Sequence, residues 1–257
     1  MLGFWECVLG IRWAIVFLTR IPVGGGSAHC LPKGSNWAAA HFPLVGTLIG
    51  VIGALVWRLS FRLDAGIRAW LVIVLLLLLT GALHEDGLAD TADALGGAFE
   101  RSKLFAILKD SRIGTYGAVA LIGALCLRAA LLTQLLSEGC WVLVASQTVS
   151  RFAPVVLIRC LPYVTPTDTS RSRDVVKVNN LQMGVAALWT LCLCMGIVHF
   201  SQVSLVRLSV ALGAQGVATA WLAYRFKRRA GGVTGDFLGA TQQVGELAFL
   251  LGLAWAA

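Results

Sequence analysis

The chain has 257 residues, of which 58% are apolar and only 13% charged, and its mean hydropathy is +0.79. Because soluble domains are about 45–50% apolar, this composition excludes an ordinary water-soluble protein and indicates that much of the surface faces lipid. The formal charge of +8 does not indicate a nucleic-acid partner, because the basic residues stand in short clusters between apolar runs, as they do beside membrane spans. We expect residues 1–257 to form a single membrane-embedded domain.

Apolar runs follow one another along the whole chain and predict helices, because a lone strand leaves its backbone groups unpaired in lipid. The runs cover roughly residues 4–19, 42–57, 69–83, 116–137, 139–158, 181–200, 202–224 and 243–257. Several are shorter than the ~20 residues that a span needs. The pattern predicts an all-α polytopic bundle with about seven transmembrane helices. The first run carries Glu6 and Arg12 and has no cleavage site, so we interpret it as a retained amphipathic or membrane segment.

Three polar segments separate these runs, namely His84–Gly114, Arg159–Asn180 and Arg225–Gln243. The predicted spans place all three on one side of the membrane. Lys and Arg concentrate there, so the positive-inside rule predicts that this side is cytoplasmic. Three arginines between the second and third runs disagree, because the same topology places them outside. Either a segment near the N-terminus is re-entrant or the charge rule is overridden there. These residues are Arg58, Arg62 and Arg68.

The first polar segment contains three aspartates on one predicted helical stripe. If the helix of the third run persists, Asp86, Asp90 and Asp93 are spaced i, i+4 and i+7 and share a face. Like charges at this spacing repel one another, so folding alone does not favour them beside lipid. Mg²⁺ prefers hard oxygen ligands and keeps water and phosphate oxygens around it. The stripe therefore predicts a Mg²⁺ site, against the alternative of a solvated acidic helix end.

Positive charge and glycine-rich stretches follow the aspartates. Lys109 and Arg112 precede the glycines of KDSRIGTYG, and we predict that they bind substrate phosphate, with a topology anchor as the alternative. The third segment, GGVTGDFLGA, is dense in glycine, which predicts a loop that approaches a ligand closely. Asp236 in that segment would complete the metal shell or position an attacking hydroxyl. The alternative is a cap or turn residue.

Charges within or beside the spans are the remaining candidates, because intramembrane charge usually has a partner or a function. Arg151 lies on a run leading toward the predicted cytoplasmic side, and we expect it to reach a substrate phosphate or an aspartate. Arg128 and Arg207 are interpreted as snorkelling side chains. His84 is either a proton shuttle or a capping or interfacial residue. No GxSxG, Walker loop or HExxH motif indicates another chemistry.

Three of these stretches, HEDGLADTADALGG, LKDSRIGTYGAVAL and GGVTGDFLGA, resemble the motifs of the cobalamin synthase (adenosylcobinamide-GDP ribazoletransferase) family. FLTRIPVG and FPLVGTLIG resemble that family's opening. The resemblance implies a Mg²⁺-dependent enzyme of the bacterial inner membrane. It implies transfer of the phosphocobinamide group of adenosylcobinamide-GDP to α-ribazole or its 5′-phosphate, with release of GMP, late in cobalamin biosynthesis. The family motif HxDGLAD implies that Asp86 is the essential aspartate.

The resemblance and the chemistry together predict roles for seven residues. The metal ligands are Asp86, Asp90 and Asp93, the catalytic residues are Asp86, Asp93 and Asp236, and the phosphate-binding residues are Lys109, Arg112 and Arg151. Either Asp236 or Asp93 would accept the hydroxyl proton. The chain departs from the family pattern in two places. Glu85 replaces a usual apolar residue, and Gln243 stands where the family often has Glu.

Two other functions stay open from the sequence. A CDP-alcohol phosphatidyltransferase-like lipid enzyme also sets aspartates at a membrane edge, but the stretch DGLADTAD lacks the Arg that such enzymes place after their DG. A cation transporter would also carry acidic residues in its membrane segments. The expected partners are small-molecule substrates and the lipid bilayer, without nucleic acid. The sequence leaves association into a homo-oligomer open.

Overall fold

The structure is a computed structural model that describes residues 2–23, 37–164, 178–201 and 203–256. Part of the polar segment between Arg159 and Asn180 lies outside these residues. The described residues form helices and no strand, apart from an isolated bridge between Tyr163 and Val233. The helices are α1 (Leu2–Leu18), α2 (Trp37–Ala40), α3 (Phe42–Leu59), α4 (Ala65–Thr80), α5 (Leu83–Gly97), α6 (Arg101–Ile107), α7 (Thr115–Leu135), α8 (Trp141–Cys160), α9 (Asn180–Ser201), α10 (Leu205–Ala230) and α11 (Gly235–Trp255).

Six helices among the described residues are long and apolar enough to cross a membrane, namely α3, α7, α8, α9, α10 and α11. Helices α4 and α5 together form a bent pair that counts as a seventh candidate span. The predicted all-α membrane bundle with about seven spans is therefore confirmed. Helix α1 has 17 residues, fewer than the ~20 that a span needs.

The most buried span, α8, packs closely against α3 through Gly46 and Gly50, which form a GxxxG pair. A Cβ atom on Gly46 would collide with the carbonyl of Gln147, and one on Gly50 would lie 2.6 Å from the Cα of Val144. Glycine at both positions lets the two backbones approach, as small residues do in membrane bundles. Because the later residue of α3 faces the earlier residue of α8, the two helices run antiparallel.

The polar segments gather at one end of the bundle, as predicted. The chain after α8 bonds to the turn between α10 and α11, with Val164 N–H donating to the carbonyl of Val233 at 2.9 Å. From α10, Arg229 donates to the carbonyl of Ala98 after α5. At the opposite end, the guanidinium of Arg207 pairs with Glu138. Arg207 therefore holds an ion pair between α10 and the end of α7, and the prediction that it only snorkels is wrong.

The three arginines that disagreed with the charge rule lie at the end opposite the aspartates, because α3 runs antiparallel to α8. The guanidinium of Arg68 stacks 3.7 Å from the ring centroid of Trp57 and donates to the Trp57 carbonyl at 2.7 Å. The guanidinium of Arg62 lies 5.6 Å from the ring centroid of Phe61. Two of the three arginines at this turn therefore have aromatic or backbone partners.

Candidate active site

A sharp corner separates the apolar helix α4 from the acidic helix α5. Gly81 (φ 67°) and Ala82 (φ 56°) both adopt left-handed conformations, and the two helices meet at 90°. Glycine suits the first position, because a Cβ atom on Gly81 would collide with the guanidinium of Arg20. The helix of the third run therefore does not persist through the aspartates. The aspartates still share a helix, because α5 alone contains all three.

Along α5 the aspartates become more buried toward the C-terminal end. Asp86 is exposed, Asp90 is half-buried and Asp93 is buried. Asp93 faces the beginning of α7, where its Oδ2 accepts the N–H of Gly114 at 2.7 Å and its Oδ1 accepts the N–H of Gly117 at 2.8 Å. A carboxylate in this place satisfies N–H groups that have no partner within the helix and lies at the positive end of the helix dipole.

The glycines of the SRIGTYG stretch are explained by this contact. A Cβ atom on Gly114 or on Gly117 would collide with the Asp93 carboxylate, and one on Gly117 would also lie 2.8 Å from the carbonyl of Ala89. Two backbone N–H groups of this stretch therefore face Asp93.

The glycine-dense segment that carries Asp236 is mostly helical, so the prediction of a loop is wrong for most of it. Gly231 ends α10 with φ 81°, and the Thr234 hydroxyl accepts the N–H of Phe237 at 3.3 Å as the N-cap of α11. Asp236 therefore lies in the first turn of α11. A Cβ atom on Gly87 would lie 2.8 Å from the Asp236 carbonyl. The absence of a side chain at Gly87 thus brings α11 onto α5 beside the aspartates.

A cavity of about 210 Å³ opens at the contact between α5 and α11. Three predicted site residues line it together, namely Asp86, Asp236 and Arg151. Asp90 is not in the lining, but it lies close enough to Asp86, Asp93 and Asp236 to be repelled by the charge of each. The full lining is Val16, Phe17, Leu18, Phe42, Leu83, His84, Asp86, Arg151, Pro154, Gly235, Asp236, Leu238 and Gly239.

The two basic residues before α7 do not line this cavity. Lys109 is exposed, and Arg112 is exposed and forms an ion pair with Asp110 at 2.7 Å. Hydrogen bonds from the Arg112 side chain and backbone lower the pKa of Asp110 to about 2. The role of Lys109 and Arg112 in binding phosphate stays a prediction.

A buried polar network next to the cavity was not predicted from the sequence. Arg128 contacts Glu85 at 3.2 Å and Glu246 at 3.4 Å and donates a hydrogen bond to Gln243. Arg128 is only 3% exposed, so the prediction that it snorkels is wrong. Glu85, Arg128 and Glu246 are charges of both signs in or beside the predicted spans, and such charges normally pair. This feature of the sequence could have indicated the network.

The same network holds Arg151 at the cavity wall. Its Nη1 donates to the carbonyl of Gln147 at 3.0 Å and to the Gln147 side chain at 2.6 Å. Gln147 Nε2 donates in turn to Glu246 at 2.7 Å. Arg151 Nε has no hydrogen-bond partner within the described residues. A buried arginine held on one edge, with donor capacity left over beside a cavity, is suited to binding an anionic ligand.

The two departures from the family pattern meet in space. Gln243 Nε2 donates to Glu85 Oε1 at 3.0 Å, and both side chains contact Arg128. Glu85 on α5 thus places a carboxylate beside Gln243 of α11. The charge of Glu85 is balanced by Arg128, so it does not simply add to the negative charge of the aspartates.

The carboxylates do not by themselves complete a metal shell. Within the described ranges, no three His, Cys, Asp or Glu side chains are close enough to hold a metal ion together. Mg²⁺ is usually bound through one or two carboxylates, with waters and substrate phosphates as its other ligands. The acidic end of α5 beside an open cavity fits a site of that incomplete kind.

Comparison with known proteins gives the family. The family of cobalamin-5-phosphate synthases matches residues 10–254. The adenosylcobinamide-GDP ribazoletransferase of Polaromonas sp. (strain JS666) is 39% identical, covering 94% of this chain and 94% of that protein. Enzymes of the same name from Vibrio cholerae (41% identical, 93% of this chain and 90% of theirs) and Leptothrix cholodnii (36%, 93% and 92%) are also similar.

No solved structure gives a significant match to the chain. The comparisons give no support to a CDP-alcohol phosphatidyltransferase or a cation transporter, whereas the matched family covers the aspartates of α5, the start of α7 and the start of α11. The chain therefore belongs to the cobalamin-5-phosphate synthase family.

Proposed function

We propose that this protein transfers the phosphocobinamide group of adenosylcobinamide-GDP to α-ribazole or α-ribazole 5′-phosphate and releases GMP. The names of its relatives support this activity. The observation that carries the proposal is the cavity in which Asp86, Asp236 and Arg151 lie together. Two carboxylates and a guanidinium at the end of a membrane bundle are suited to a reaction between a pyrophosphate and a hydroxyl group.

The reaction requires one proton acceptor and stabilisation of negative charge. The ribazole hydroxyl oxygen forms a bond to the phosphorus attached to the corrinoid arm, while the bond from that phosphorus to the GMP oxygen breaks. Asp236 accepts the hydroxyl proton, because it lines the cavity from the first turn of α11. Arg151 binds a phosphate oxygen of the reacting pyrophosphate, and Gln147 keeps the guanidinium in place.

Asp86 and Asp90 would hold Mg²⁺, with substrate oxygens and water as the remaining ligands. When bound, the ion would neutralise charge on the pyrophosphate. Asp93, the third predicted ligand, already accepts two backbone N–H groups. We assign it to holding α7 against α5. This gives it a positioning role instead of a catalytic one.

Lys109 and Arg112 would bind the departing GMP from the exposed segment between α6 and α7. The end of the bundle that carries the aspartates would face the cytoplasm of a bacterial inner membrane. This orientation follows the positive-inside rule, because the same end of the bundle carries basic residues of α6 and α10. These residues are Arg101, Lys103, Lys227, Arg228 and Arg229.

The test is release of GMP by the purified protein in detergent, given adenosylcobinamide-GDP and α-ribazole with and without Mg²⁺. We expect release that depends on α-ribazole and Mg²⁺, and a loss of at least about 100-fold in kcat for Asp86→Ala. Glu100→Ala is the matched control, because Glu100 is exposed and lies outside the cavity. Absence of GMP release from the unaltered protein would contradict the activity. Normal turnover by Asp86→Ala would remove Asp86 from the mechanism.

A further inference from the structure

Part of the cavity lining is apolar and comes from α1 and α3. Val16, Phe17 and Leu18 come from α1, and Phe42 comes from the first turn of α3. The rings of Phe17 and Phe42 are nearly parallel, with 6° between their planes and 5.6 Å between their centroids. We call these four residues the aromatic wall. The function proposed above uses only the charged residues and gives the aromatic wall no role.

The aromatic wall is held in place from both ends of α1. Near the beginning of α1, the carbonyl of Cys7 lies 3.0 Å from Nε2 of His41, the residue that precedes α3. The other ring nitrogen of His41 is 3.2 Å from the indole nitrogen of Trp189 on α9. Just beyond α1, the N–H of Arg20 donates to the carbonyl of Leu79 on α4 at 2.7 Å. Helix α1, too short to be a standard span, is thus fixed as one side of the cavity.

Ligand sites are mostly apolar and aromatic, with a few polar groups that fix orientation. The cavity has this composition, because it combines Asp86, Asp236 and Arg151 with the aromatic wall. Its volume of about 210 Å³ lies below the roughly 300–1,000 Å³ of sites that enclose drug-sized ligands. The cavity therefore suits one small ring system better than a corrin macrocycle.

The substrates carry three small ring systems, namely guanine, the adenine of the adenosyl group and the base of α-ribazole. Guanine and adenine have polar edges whose donors and acceptors need partners when buried, and the aromatic wall offers none. The base of α-ribazole is a dimethylated benzimidazole, which is flat and apolar around most of its edge. An offset stack on Phe17 and Phe42 suits such a ring.

Resting on the proposed function, we infer that the aromatic wall binds the benzimidazole base of α-ribazole. The sugar of α-ribazole then points toward Asp236 and Asp86, where its hydroxyl loses its proton. Helix α1 is by this inference the specificity element for the accepting nucleoside. The corrinoid substrate is bound through its pyrophosphate by the charged residues and does not contact Phe17.

The experiment compares Phe17→Leu and Phe17→Tyr with the unaltered protein in detergent, measuring kcat and the KM of each substrate. We expect Phe17→Leu to raise the KM of α-ribazole by about tenfold, equivalent to 1.4 kcal/mol. The KM of adenosylcobinamide-GDP should stay within about twofold. Phe17→Tyr keeps the ring and should retain most of the affinity for α-ribazole. Phe61→Leu is the control, because Phe61 is 67% exposed and lies at the other end of the bundle.

Direct binding of α-ribazole, followed by calorimetry, separates this inference from the activity itself. Weaker binding to Phe17→Leu, but not to Phe61→Leu, supports the inference even if turnover is absent. An equal rise in both KM values, or a rise for adenosylcobinamide-GDP alone, would overturn the inference and leave the proposed function standing. If Phe17→Leu changes only the thermal stability in lipid nanodiscs, the wall contacts acyl chains and the inference is wrong.

Discussion

Asp93 offers a sharp test of how the structure assigns the aspartates. Its carboxylate accepts the N–H groups of Gly114 and Gly117 and is only 8% exposed. We predict that Asp93→Ala lowers the free energy of unfolding by about 3 kcal/mol, because each hydrogen bond to a charged group contributes about 1.5 kcal/mol or more. The Asp93 side chain is too little exposed for solvent to screen much of the energy of these two hydrogen bonds.

Gly117→Ala tests the same contact without removing any carboxylate. The new methyl group would collide with Asp93 and lie 2.8 Å from the carbonyl of Ala89. Overpacking of this kind costs about 1–3 kcal/mol, and the better helix propensity of alanine recovers about 1 kcal/mol. We therefore expect a net loss of about 1 kcal/mol. Gly123→Ala is the matched control on the same helix, because nothing lies within 4 Å of the Cβ position.

The measurement is unfolding in mixed detergent micelles, followed through tryptophan fluorescence. The expected order of stability is Gly123→Ala, at or above the unaltered protein, then Gly117→Ala, then Asp93→Ala. If Asp93→Ala unfolds like the unaltered protein but loses Mg²⁺-dependent turnover, Asp93 is a metal ligand. Equal stability of Gly117→Ala and Gly123→Ala would show that the contact between α5 and α7 is looser than the structure has it.

Two further predictions concern the packing of the bundle. Arg128→Met should lower the free energy of unfolding by about 3–5 kcal/mol, because Glu85 and Glu246 stay buried without their cation. Adding Glu246→Gln should recover part of that loss, and a double variant no more stable than Arg128→Met would argue against the ion pair. Gly46→Ala should lower the melting temperature in detergent, because the added methyl meets the Gln147 carbonyl. Gly184→Ala is the control and should leave the melting temperature unchanged, because its Cβ position is open. Equal melting temperatures for Gly46→Ala and Gly184→Ala would contradict the close packing of α3 on α8.

The sequence by itself determined the membrane class, the helical architecture and the family. Long apolar runs leave helices as the one way to pair the backbone in lipid, and α3, α7, α8 and α9 follow those runs closely. Helix α10 extends past the end of its predicted run, and α11 begins well before its run. The motifs around Asp86, Gly114 and Asp236 indicated the family because each is long and they occur in order. The spacing of the aspartates also held, because spacing within a helix survives any change in where the helix points.

Tertiary structure decided the direction of α5 and the use of each aspartate. Periodicity carries no signal for a 90° corner, so the left-handed pair Gly81 and Ala82 was hidden inside an apolar run. Whether Asp93 faces a ligand or the start of α7 depends on the approach of another helix, 21 residues further along the chain. The partners of Arg128 likewise come from α5 and α11. The sequence shows which groups need partners, and only the packing of the helices decides which groups meet.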